Sequence, residues 1–335
     1  MITAEKIRFS GTSITSSDPD FVDIDLDKKD PQLCGLYAPD IYNNLRVAEL
    51  VRTPYPNLME TIQHDITRSM RGILVDWLVE VSEEYKLVPD TLYLTVHLID
   101  WFLSSNYIER RLQLLGITCM LIASKYEEIC APREEEFCFI TDNTYTKEEV
   151  LKMETRVVKY FGFQIYAPTA KTFLRRFLRA AQASYKSPSM EMEYLANYLA
   201  ELTLIEYDFL SLAPSMLAAS AVFLARWTLD HSTHPWVNPQ FLGSFWLDLH
   251  AHARLNHFNP IFVLQNSTLE HYTAYNVSQL RNTVVALQDL QLNTKGCPLT
   301  AIRTKYKQPK VLTFFILTWN DSQMLTNEVV VVVLV

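Results

Sequence analysis

Between Met70 and Tyr85 the apolar residues Met70, Ile73, Leu74, Trp77, Leu78, Val81 and Tyr85 recur at steps of three and four, the spacing that puts one buried stripe on an α-helix. Ahead of it, DIYNNLRVAEL from Asp40 reads as a short amphipathic helix with Ile41, Leu45 and Ala48 on one face, ended by Pro54 and Pro56. Pro89 opens a further helix, apolar on most sides, that runs to about Leu103. Leu112 to Tyr126 forms the next; Gly116, Ala123 and Ser124 let neighbours approach closely, which suits the centre of a bundle. Pro132 precedes a short helix, REEEFCFI. Thr146 then caps another, because Glu149 stands where a capping box needs it, and Gly162 stops it. Its buried stripe is Val150, Met153, Val157, Val158 and Phe161.

After Pro168 the pattern begins again, with helices near 169–183, 188–207 and 214–229, a short TLEHYTAY, and 277–293. Five helices follow five, as in a tandem repeat. Overlaying LIASKY on FLARWT should bring YTKEEVLKME onto YNVSQLRNTV, but the second copy is roughly 30 residues too long. The aromatic-rich stretch at about 237–267 has no stable period and reads as an insertion. The expected organisation is a flexible polar tail over 1–38, a first helical domain with its preceding helix over 39–165, a second over 166–310, and an atypical apolar tail over 311–335 ending in NEVVVVVLV.

Composition narrows the function classes. In 335 residues, 30 Lys and Arg stand against 38 Asp and Glu, a formal charge of −8 that argues against a general nucleic-acid surface and for a protein partner. Five cysteines with no C-x-x-C pair suggest neither a disulfide framework nor structural zinc. Seven scattered glycines form no phosphate-cradling loop, and no H-R-D or D-F-G segment occurs, so the chain is not expected to be a kinase or nucleotide enzyme of those types. The N-terminus lacks signal-peptide character and the purest apolar run, Leu114 to Ala123, is too short to cross a bilayer, so no membrane association is expected. His250, His252 and His257 have no matching carboxylate or cysteine set, and no metal or cofactor is expected.

The run MRGILVDWLVEVSEEYKL, then TLYLTVHLIDWFLS, then LIASKYEEICAPREEEFCFITDNTYTKEEVLKME, resembles the first cyclin box of A-type, mitotic cyclins, especially those of plants. LANYLAELTLIEYDFL and LAASAVFLARWTLD resemble the second box, so the likeness covers about residues 31 to 310 apart from the insertion. The resemblance implies an all-α fold of two tandem five-helix cyclin-box domains. It implies a non-catalytic regulatory subunit that binds and activates a cyclin-dependent Ser/Thr kinase, in the nucleus and cytoplasm, controlling cell-cycle progression.

Carried over by motif, Lys125 and Glu154 hold the kinase's regulatory helix, with Ile122, Tyr126 and Phe163 excluding water around them. From spacing alone, an intramolecular Lys–Glu bridge joining the third and fifth helices is the favoured reading, and only the motif match tips the balance to docking. Met70, Ile73, Leu74, Trp77, Leu112 and Gln113, with Glu80 for a basic ligand residue, correspond to the patch that recruits substrates or inhibitors bearing an Arg-x-Leu type motif. Without the resemblance, such a stripe reads as core. Arg71 and Asp100 occupy the positions of a charge pair bracing the first two helices, and His97 faces a helix junction.

The chain departs from the family in four places. No R-x-x-L destruction motif lies in the N-terminal tail, and the match at Arg175 to Leu178 falls in a predicted helix; Trp101 stands where Arg is usual; NYIERR is one residue short; and the insertion and tail look like a retained intron or mis-predicted exons. Two other classes fit the repeat. A transcription-initiation factor with two cyclin-like repeats would need a basic face, and a helical scaffold would need no kinase at all.

Overall fold

The computed structural model describes residues 21–26, 31–108, 111–185, 187–229, 267–294 and 296–307. Among them the chain is all-helical. Helix α1 is Ala38–Val51 and α2 is Leu58–Thr61. The first bundle comprises α3 (Arg68–Glu84), α4 (Pro89–Leu103), α5 (Leu112–Glu127), α6 (Glu134–Ile140) and α7 (Lys147–Tyr160). The second comprises α8 (Ala170–Ala181), α9 (Met190–Ile205), α10 (Pro214–Leu229), α11 (Ser267–Thr273) and α12 (Val277–Gln291), followed by α13 (Ala301–Tyr306). The fivefold repeat expected from the pattern is present, each bundle around its own apolar core. The segment read as an insertion, apart from Ser267, the apolar tail, and His250, His252 and His257 lie outside the described residues.

In both copies the last helix opens on the same device. Thr146 Oγ1 accepts from the Glu149 N–H at 3.3 Å while the Glu149 carboxylate accepts from the Thr146 N–H at 3.2 Å. Asn276 and Gln279 repeat this at 3.0 and 2.9 Å. Each exchange satisfies two of the donors that a helix start leaves open. Helix α5 is central, buried without a break from Leu114 to Ser124. Gly116 lets α3 approach: a Cβ there would stand 2.8 Å from Leu74 Cδ1.

The two bundles are joined through polar groups as well as apolar ones. Tyr93 of α4 belongs to the second core, and Leu202 and Ile205 of α9 to the first. Arg71 of α3 and Asp100 of α4, both buried, form a two-pronged pair with Nε–Oδ1 and Nη2–Oδ2 both 2.7 Å. The free Nη1 donates to the Leu204 and Ile205 carbonyls at 3.0 and 3.1 Å, so the pair braces α3, α4 and the end of α9 together.

Three differences from the sequence reading have physical causes. Ile41 is exposed, and α1 instead packs through Ala38, Tyr42, Leu45 and Glu49, because the Glu49 carboxylate is bonded by Ser215 N–H and Oγ at 2.9 and 2.7 Å. Residues 21–26, inside the segment read as a polar tail, are seated on the second bundle, with Ile24 buried. Helix α13 is too short to show a period. It is held by its contacts, with Ala301 N–H donating to Asp76 Oδ1 at 2.9 Å and Lys305 bridging Glu201 and Glu83 at 3.0 and 3.2 Å.

His97 is half-buried on α4, its ring 5.8 Å from Trp101, which in turn packs on Phe161 at 4.4 Å. Trp101 thus spends its ring on the core side of α4, where an Arg would need a charge partner. Burial pulls the His97 pKa from 6.5 to about 4, against the pull of nearby Asp100. The fold therefore favours the neutral imidazole. As pH falls through 6.5 the unfolded chain takes up a proton that the folded chain refuses until about 4. Roughly 3 kcal/mol of stability should be lost across that window and then level off, at about 1.4 kcal/mol per pH unit. Denaturant titrations at pH 7, 5.5 and 4 check this, and His97→Gln should flatten the dependence relative to the parent.

Candidate functional site

The last turn of α5, the first residue of α6 and the middle of α7 meet on the first bundle and bring charge to its surface. Lys125 Nζ lies 2.8 Å from Glu154 Oε1 and 3.1 Å from Glu134 Oε1, so one ammonium joins three helices. The Lys125 side chain keeps 41% of its accessible surface, and Glu154 and Glu134 keep 17% and 24%. Burial opposes the charge on Lys125, but the hydrogen bonds to Glu154 and Glu134 outweigh it and hold its pKa above the ordinary range. Its own backbone N–H, and then Lys125, hold the Glu134 carboxyl below the usual range. Lys125 and Glu134 are thus ionised, and the cluster is partly wet, with capacity for further hydrogen bonds.

The same three helices, and the segments that follow them, also expose large apolar side chains. Tyr126, Ile129, Phe139 and Phe163 are all exposed, Phe163 by 75%. Phe163 follows Gly162 in the turn that ends α7, and both have left-handed backbone, φ 64° and 58°. For Phe that costs about 1 kcal/mol or more, and the turn holds a large ring in water. Ile122 is a correction to the sequence reading: it is buried in the α5 core and supports the cluster from beneath instead of shielding it. Ile129 and Phe139 were not singled out from sequence, because a single apolar residue past a helix end looks the same whether it folds inward or outward.

Helix α1 borders this face. Arg52, at its C-terminal end, donates to the Tyr166 carbonyl and, at 3.2 Å, to Gln164 Oε1, and the Tyr126 and Tyr166 rings lie 6.3 Å apart. Val51 and Ile41 of α1, and Tyr37 immediately before it, are exposed.

The stripe on α3 divides into two layers. Met70 and Ile73 are exposed by 38% and 56%, Trp77 is half-buried and Glu80 is exposed. Leu74 and Leu112 are buried, so they are the floor of any groove here and not its contact surface. Half-buried Gln113 precedes Gly116 by one turn on α5, which places it beside α3, where Leu74 meets Gly116. Among the described residues Glu80 has no ion pair. Residues 109–110 of NYIERR lie outside those described, and of the R-x-x-L segment on α8, Leu178 is buried. Among the described residues no group of His, Cys, Asp or Glu side chains is arranged to hold a metal, and no helix is long and apolar enough to cross a membrane.

The comparisons agree with this architecture. The model of the N-terminal cyclin domain matches residues 40–166, and that of the C-terminal cyclin domain matches 168–245 and 248–317. The chain belongs to the cyclin family. Within it the similarity is to plant A-type members: Cyclin-A2-3 of Arabidopsis thaliana is 63% identical over 317 residues, 94% of this chain and 64% of that protein. Cyclin-A2-4 of the same plant is 66% identical over 296 residues, covering 88% and 58%. Cyclin-A2-1 of Oryza sativa subsp. japonica is 62% identical over 296 residues, covering 88% and 54%. The chain therefore spans less than two thirds of the length of these relatives. The X-ray structure of a viral cyclin from herpesvirus saimiri shares the fold, with a TM-score of 0.58 at 20% identity over 75% of this chain and 96% of that one.

Proposed function

We propose that this chain is a regulatory subunit that docks on a cyclin-dependent Ser/Thr kinase and activates it in cell-cycle control, acting in the nucleus and cytoplasm. The observation that carries the reading is the Lys125–Glu154–Glu134 cluster on helices that, with the segments after them, also expose the apolar Tyr126, Ile129, Phe139 and Phe163. A hydrogen-bonding centre inside an apolar collar is how protein interfaces concentrate affinity, because the collar keeps water off the charged bonds. A structural ion pair alone has no need of exposed apolar side chains.

Docking here would seize the kinase's αC helix and favour the position in which the kinase's own Glu pairs with its β3 Lys. The cyclin supplies no reacting group. It binds the active arrangement more tightly and so shifts the kinase population toward it. The test is to mix the purified chain with a cyclin-dependent kinase and follow co-elution and histone phosphorylation. Co-elution with stimulated phosphorylation is expected, and a monomeric chain with no stimulation overturns the reading. Retention of DNA without kinase would favour the transcription-factor class.

The α3 patch supports substrate recruitment as a second, separable role. Met70, Ile73 and Trp77 offer apolar contact over a Leu74 and Leu112 floor, with Gln113 and Glu80 at the rim for the polar and basic groups of an Arg-x-Leu type peptide. Trp77→Ala should weaken such a peptide by about tenfold, as loss of a central aromatic anchor does. Fluorescence titration of the peptide checks this, and kinase binding should be unchanged because the two faces involve different helix surfaces.

A further inference from the structure

Helix α1 is held by the second bundle, although its outer face borders the docking surface of the first. Arg46 donates to the Thr273 carbonyl at 3.1 Å, and Glu49 takes both Ser215 bonds. A third tie comes from the segment Phe21–Leu26. Its Asp25 carboxylate accepts two parallel bonds from Arg176 of α8, at 2.8 and 2.6 Å. The Arg176 guanidinium is in turn sandwiched between the ring of Tyr42 on α1, at 4.4 Å, and that of Tyr272 on α11, at 4.8 Å. The segment is sewn down on either side: Val22 N–H donates to Thr268 Oγ1 at 2.9 Å, Ile24 N–H to Tyr272 Oη at 3.0 Å, and Tyr272 Oη to Asp23 Oδ1 at 2.9 Å.

Both charges of the Asp25–Arg176 pair are mostly covered, with 13% and 8% of their side-chain surface left. A covered, two-pronged carboxylate–guanidinium pair with a ring on each face is a directional joint and not a surface decoration. It joins four separate elements at one point, the 21–26 segment, α8, α11 and α1.

We propose that this latch is a positioning element for kinase docking: by clamping Tyr42 it fixes α1 so that its exposed Ile41 and Val51, with Tyr37 just before it, extend the apolar part of the docking surface. The inference rests on the docking reading above. The latch touches no partner. It raises the fraction of molecules whose interface is already assembled, and apparent affinity scales with that fraction.

Asp25→Ala removes one partner of the joint at the edge of the fold, and Asp25→Asn does so at constant size. If α1 is correctly seated in only a tenth of such molecules, the kinase Kd rises about tenfold. Asp25→Glu should recover most of the affinity. Amide hydrogen exchange along α1 should quicken in the free variants and return to the parental rate in the kinase complex, a response that general loss of stability would not produce. If the parental chain binds no kinase, the docking reading itself falls. If the parental chain binds and Asp25→Ala binds equally well, or if α1 exchange quickens with Kd unmoved, the latch has no positioning role.

Discussion

Arg71→Ala should lower the stability of the folded chain by about 3–5 kcal/mol, the range observed when one member of a buried ion pair is removed. The guanidinium makes two bonds to Asp100 and two to the Leu204 and Ile205 carbonyls, all within 3.1 Å. Its removal leaves the Asp100 carboxylate, 1% exposed as a residue, without its charge partner. It also frees two carbonyls at the end of α9, where a helix already has acceptors to spare. Burial alone would disfavour the charge on Arg71, yet Asp100 outweighs it and holds the pKa above its usual value, so the guanidinium is charged in the fold. Replacing both charges, as in Arg71→Met with Asp100→Leu, should cost less than either single truncation, since no unpaired charge then remains. Urea denaturation of the three variants checks this. A loss under 1 kcal/mol in Arg71→Ala would show that the pair is solvated.

Lys125→Ala combined with Glu154→Ala should weaken kinase binding by several hundredfold, while the melting curve of the free chain barely moves. The two effects separate by magnitude. Within the free chain the Lys125–Glu154 contact is partly exposed, and such pairs contribute about 0–1 kcal/mol. Hydrogen bonds from charged groups to a docked helix are worth about 1.5–3 kcal/mol each, so losing both removes about 3–6 kcal/mol of affinity. An ion pair that merely joined α5 to α7 would give the reverse pattern, with a measurable loss of stability and no loss of binding. Calorimetric titration with the kinase, beside thermal unfolding of the free variant, decides between them.

Much of this was legible along the chain. The helix starts at Pro89, Thr146 and Pro214, the repeat of five helices, and the equivalence of Thr146 with Asn276 all follow from local rules of capping and period. The stripe on α3 was legible as a stripe only. Met70 and Ile73 share the period of Leu74 and Leu78, and period alone cannot tell which side of a wide apolar face the next helix covers. Here α5 comes close enough at Gly116 to bury Leu74 and leaves Met70 and Ile73 in water.

The seat of Phe21–Leu26 was illegible for a different reason. Asp23 and Asp25 in a polar stretch look solvated until Arg176 and Tyr272, about 150 and 250 residues away, come to meet them. Helix α13 is the same case, since six residues cannot reveal a period and its stability comes from Asp76, Glu83 and Glu201 on other helices.

The sequence by itself determined the longer helices, where they begin, and that they come as two sets of five, because capping and amphipathic period act within a few residues. Only the tertiary structure decided which apolar residues stay in water and which distant charges meet. Burial and pairing are properties of the neighbour that arrives, and that neighbour is chosen by the packing of whole helices.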